Sequence, residues 1–66
     1  NSSQIKEYIH LSPPVKKHLE LASEKLQLSA RSLLKIVRLA RTIADLDASP
    51  EIKIQHISEA ISFNQP

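Results

Sequence analysis

At 66 residues the chain makes one domain at most, and a chain this short buries only about 60% of its unfolded surface. Nine Lys and Arg against seven Asp and Glu leave a formal charge of +2, which by itself does not mark a nucleic-acid binder. There is no cysteine, so no disulfide or thiolate metal site stiffens the thin core and the redox compartment is not legible; no apolar run approaches the roughly 20 residues that span a bilayer.

The first predicted element is a short helix over Gln4–His10. Ile5 and Ile9 are four apart and share a face, with Tyr8 as a second apolar contact. Asn1–His10 has no apolar run of the signal-peptide kind, so the cytoplasm is the expected location. The chain lacks an initiator methionine and ends abruptly. This points to a piece cut from a larger protein, although processing leaves the same trace.

Ser12 followed by Pro13 predicts the next helix start. Serine can cap open amides, and proline at the first helical position loses no helical hydrogen bond. Val15, Leu19, Ala22 and Leu26 then recur at spacings of 4, 3 and 4, an amphipathic helix of about three to four turns. Lys16, Lys17, Glu20, Glu24 and Lys25 fill its wetter side.

Gln27–Leu28 reads as a tight connector, and Ser29 as the cap of a long central helix. Leu28 and Leu33 have the spacing of a hydrophobic staple. The apolar positions Leu33, Leu34, Ile36, Val37, Leu39, Ala40, Ile43, Ala44 and Leu46 are wider than one stripe, so this helix is expected to bury two sides. Arg31, Lys35, Arg38, Thr42 and Asp45 form its polar line, and Arg41 can pair with Asp45 one turn on.

Asp47–Pro50 ends that helix, because Pro50 holds Ser49 away from helical geometry. Glu51–Ile54 is expected to be extended, followed by a last helix over about Gln55–Ser62, or one turn earlier. Phe63 is expected to close the core end, and Ala40, Ala44 and Ala60 to permit close helix contact. The sum is an all-α bundle of three or four helices with short connections.

Chemistry in these residues centres on Arg31. A guanidinium clamps phosphate through parallel hydrogen bonds, and at a helix start it sits beside amides that also favour anions. Arginine is the wrong charge for that end of the helix dipole, a local conflict that fits service to an outside anion; the alternative is a solvated surface arginine. Arg38 lies seven residues on, about 10 Å along the same face, within reach of a second phosphate, a neighbouring subunit or DNA; Lys35 and Arg41 complete the basic face.

Other chemistries find little support. Glycine is absent, so no Walker A or dinucleotide loop exists, and any contact with nucleotide must come from side chains. His10, His18 and His56 lack metal-ligand spacing and read as surface or interface residues or as caps, and no metal site is expected. The carboxylates form no convincing catalytic pair. Two helices joined at Lys25–Ser29 superficially fit a helix-turn-helix, but the second is too apolar to expose a reading face.

The run from Leu28 to Phe63 resembles the C-terminal domain of magnesium chelatase-like AAA+ ATPases, with wording nearest the ComM competence-protein branch. The residues that carry this are Leu28–Arg31 (LSAR), Val37–Leu46 (VRLARTIADL), and Ile54 with His56–Ala60 (HISEA) after the Ser49–Pro50 turn. The resemblance implies a helical lid that follows a nucleotide-binding core of the same chain, in proteins that assemble into homo-oligomeric, ATP-driven rings. It places Arg31 at the position of the sensor 2 arginine, which contacts nucleotide phosphate. Lys35, Arg38 and Arg41 are left as interface or DNA candidates. Ser32–Leu34 departs from relatives that often carry aromatic or histidine residues there.

ATP and Mg2+ are then expected for the parent protein and no cofactor for this piece, which should not hydrolyse ATP alone. ComM-like motors act on DNA, branched or single-stranded, during natural transformation and recombination; true chelatase subunits drive magnesium insertion into a porphyrin. A nonenzymatic helical module that binds protein or DNA is the competing class.

Overall fold

The computed structural model describes residues 10–64. All but the last residue of the helix expected over Gln4–His10 lies outside them. The described residues form a small all-α bundle of three helices, α1 (Pro13–Leu26), α2 (Ala30–Leu46) and α3 (Ile54–Asn64). α2 and α3 share the most extensive contact, and α1 lies against α3.

α1 starts where expected, with Pro13 and Pro14 in its first turn. Ser12 is extended, but its side chain makes no capping bond. Two prolines supply no N–H, so the end has little to cap; the turn closes instead through Lys16 N–H to Ser12 O at 2.9 Å. Val15 and Leu19 are buried, whereas Ala22 is only half-buried and Leu26 is exposed. The inward stripe of α1 is therefore shorter than its spacing implies.

α1 and α2 end in the same way. The Leu28 N–H bonds Ser23 O and the Gln27 N–H bonds Glu24 O, with Gln27 left-handed at φ 54°. The Ser49 N–H bonds Ala44 O and the Ala48 N–H bonds Asp45 O, with Ala48 left-handed at φ 55°. Both are Schellman motifs, whose left-handed position favours glycine. A chain without glycine fills both with residues that carry a Cβ.

α2 is the central helix. Ser29 caps it as expected, its Oγ accepting the Ser32 N–H at 3.2 Å. Ile36, Val37, Ala40 and Ala44 are buried, and Leu33, Leu39 and Ile43 pack partly against the core, which gives the broad apolar face its two sides. Leu46 does not follow: it is 84% exposed, because two residues past the buried Ala44 the helix has turned by about 200°, away from the core. Ala40, Ala44 and Ala60 are fully buried, consistent with small residues at the close α2–α3 contact.

The segment before α3 contains no strand; residues 51–53 bend into a helix that starts at Ile54. Ile52 is buried and Ile54 is exposed, so the alternation belongs to a helix approach. Phe63 does not close the core. It is 75% exposed, and Ala60 and Ile57, about one and two turns earlier, are the apolar residues that α3 buries.

Candidate phosphate-binding face of α2

The α2 cations divide by what they touch. Arg41 is tied down within the chain. Its Nε and Nη2 donate to Asp45 Oδ1 at 3.1 and 2.7 Å, Nη2 also donates to Ser49 O at 3.0 Å, and Nη1 to Pro50 O at 3.2 Å. The expected i,i+4 pair therefore forms, and the same guanidinium fastens the loop between α2 and α3. A planar fork with five N–H donors can hold three acceptors at once; a lysine cannot match that geometry.

Arg31, Lys35 and Arg38 are exposed, and none of their side chains forms a hydrogen bond or ion pair with another described residue. With Leu34 they line one open hollow of about 420 Å³. A neighbouring hollow continues past Lys35 and Arg38 to Leu39, Arg41 and Thr42. Thr42 donates its hydroxyl to Arg38 O at 3.3 Å, within the helix.

Arg31 is the second residue of α2, and the Ser29 cap uses the amide of Ser32. The Ala30 and Arg31 amides have no acceptor within the helix. Ser29 Oγ also donates to Ser32 Oγ at 3.2 Å. The helix start therefore combines a guanidinium that no described residue occupies with backbone donors, an arrangement able to hold an anion.

The histidines are not alike, and His56 is not a surface residue. It is 1% exposed and serves as a helix cap. Its Nδ1 accepts the Lys53 N–H at 2.9 Å, so the proton of the neutral ring sits on Nε2, facing Asp47 Oδ2 at 3.2 Å. This is the backward half of a capping box, with histidine in the place usually held by Glu or Gln. Gln55 Nε2 reaches the same Asp47 oxygen at 3.4 Å. The signal was present in the spacing of Lys53 and His56, but it counts only if α3 starts at Ile54. His18 Nε2 lies 3.3 Å from Ser58 Oγ, joining α1 to α3, and His10 is exposed. Among the described residues no three His, Asp or Glu converge as metal ligands, and no helix is long and apolar enough to cross a membrane.

Residues 1–64 match the family described as magnesium chelatase, subunit ChlI C-terminal. The chain is 36% identical over 63 residues to uncharacterized protein YifB of Escherichia coli K12. It shows the same identity over the same length to competence protein ComM of Haemophilus influenzae. A second YifB, from Salmonella typhimurium, is 35% identical over 60 residues. These alignments cover 91–96% of this chain but only 12% of each relative. No solved structure matches. A family match over nearly the whole length, on the helices whose wording carried the resemblance, makes this chain a member of the magnesium chelatase ChlI C-terminal family.

Proposed function

We propose that the chain is the C-terminal helical lid of an AAA+ ATPase of the ComM-like kind, following the nucleotide-binding core of the same chain in a homo-oligomeric ring. In this reading Arg31 meets nucleotide phosphate. The observation that supports it most is the contrast along α2: Arg41 is spent on the loop, while Arg31 stands at the helix start with no described partner.

The residues present fit a polyphosphate at one end only. ATP with Mg2+ would supply the phosphate charge; this chain would supply the guanidinium and the first-turn amides of α2. Arg31 would hold the lid toward the phosphates while the terminal one is bound, and would loosen when it leaves. Because α2 is packed on α3 and its far end is fastened by Arg41, a pull at Arg31 would move the bundle as a body. Chemical energy then becomes motion of the lid, and the motion acts on DNA.

The test is ATPase activity of the full-length parent and its Arg31→Ala variant, with and without branched DNA. Lost activity with intact folding and assembly supports phosphate sensing, and stimulation by DNA supports the motor reading. Normal coupled activity in the variant would sink the sensor role. The family description itself keeps a second reading in play, the lid of a true magnesium chelatase motor subunit; stimulation by a porphyrin-bearing partner in place of DNA would favour it. A nonenzymatic interaction module would be favoured if the parent had no ATPase at all.

A further inference from the structure

We infer that Lys35 and Arg38 form a second phosphate subsite beyond Arg31, so that the α2 ridge takes the phosphodiester backbone of a nucleic-acid strand without reading its sequence. This deepens the DNA part of the proposed function but does not depend on the nucleotide role of Arg31.

Four observations carry it. From Ala30 to Ala44, α2 holds cations at 31, 35, 38 and 41 and no carboxylate. Asp45, the first acid, is paired with Arg41, so the charge left on the ridge belongs to Arg31, Lys35 and Arg38. These three are exposed, with no described partner for their charges. Finally, the two adjoining hollows share Lys35 and Arg38 and form a shallow, open groove on the surface of α2, lined by that helix alone. From Arg31 to Thr42 that groove runs about 16 Å. A triphosphate, with phosphates joined through single oxygens, is too compact to engage its whole length from the Arg31 end. A strand with phosphates strung out along it fits a row of cations one helical turn apart.

The groove also says what the contact lacks. Its lining holds no aromatic side chain on which a base could stack and no Asn or Gln to read a base edge. Binding is therefore electrostatic and indifferent to sequence, and its salt dependence reports the number of phosphates engaged.

The experiment is fluorescence anisotropy of a labelled oligothymidylate titrated with the full-length parent at several salt concentrations, each variant checked for folding and assembly. The slope of log K against log salt counts the phosphates engaged, at about −0.7 for each on a single strand. Lys35→Gln and Arg38→Gln should each reduce its magnitude by about 0.7, and by the same amount for an oligoadenylate. Lys25→Gln on α1 removes the same charge away from the groove and should leave the slope unchanged. A duplex probe bound with the larger slope of about −0.9 per phosphate would assign the ridge to double-stranded backbone.

The inference is overturned if no salt-dependent binding is seen, if Lys25→Gln lowers the slope as much as Lys35→Gln, or if an acidic peptide binds and the oligonucleotide does not. Failure here with a disabled Arg31→Ala ring leaves the sensor proposal standing. The reverse result removes the sensor and keeps the strand subsite.

Discussion

Arg38 and Arg41 stand three residues apart on one helix and have opposite surroundings. Arg41 Nη2 is 2.7 Å from Asp45 Oδ1 and also holds the Ser49 carbonyl, while the Arg38 side chain is exposed with no described partner. Three residues of helix leave the two side chains about 60° apart, one turned toward the α2–α3 loop and the other toward solvent. This separates a cation bonded within the chain from one with no described partner, and it makes the two substitutions unequal.

Arg41→Ala should lower stability by about 1–2 kcal/mol. It removes an ion pair that is worth little where exposed, but it also strips donors from the Ser49 and Pro50 carbonyls. Arg38→Ala should change stability by less than about 0.5 kcal/mol. Urea denaturation of the two variants side by side measures the difference, and equal effects would contradict the latch.

His56 carries two roles, filling the core and accepting the Lys53 N–H. His56→Ala should cost about 2–4 kcal/mol through the cavity and the lost cap, enough to unfold much of so small a domain. His56→Gln, which keeps a capping-box acceptor, should cost clearly less. Helical content by circular dichroism and the midpoint of thermal unfolding give the ranking; His56→Gln as damaging as His56→Ala would argue against the cap.

Gln27 and Ala48 should be improvable. Each occupies the left-handed position of a Schellman motif where a Cβ is costly. Gln27→Gly and Ala48→Gly should each stabilise by roughly 0.5–1 kcal/mol, net of the added freedom glycine gives the unfolded chain. A lowered unfolding midpoint in either variant would show the strain to be absorbed elsewhere.

The two large apolar residues of α3 should behave differently. Ile57→Ala should cost about 2–4 kcal/mol, since Ile57 is fully buried. Phe63→Ser, at a side chain 75% exposed, should cost less than about 0.5 kcal/mol. Comparable losses in chemical denaturation would mean that Phe63 is covered in solution.

Much of this was legible in the sequence because it is local. Helix starts at Pro13 and Ala30, the Ser29 cap, the wide apolar face of α2 and the Arg41–Asp45 pair all follow from residues within one or two turns of each other. The resemblance read on Leu28–Ala60 likewise rests on order along the chain, and the family match bears it out. Arg31 at the second position of α2 was readable for the same reason.

What depends on distant parts of the chain was not. Leu46 and Phe63 are as apolar as Leu19 and Ile57, yet only packing decides which of them meets another helix. His56 reads as a polar residue until the turn after Pro50 brings Lys53 and Asp47 to its two ring nitrogens, which lets a buried imidazole be satisfied. The same fold returns the Ser49 and Pro50 carbonyls to Arg41 and leaves Arg31, Lys35 and Arg38 on the open side. The sequence alone determined the helices and their charges, because periodicity and capping act over a few residues. Tertiary structure decided which charges were consumed, because a cation's partner is a matter of where the chain comes back to meet it.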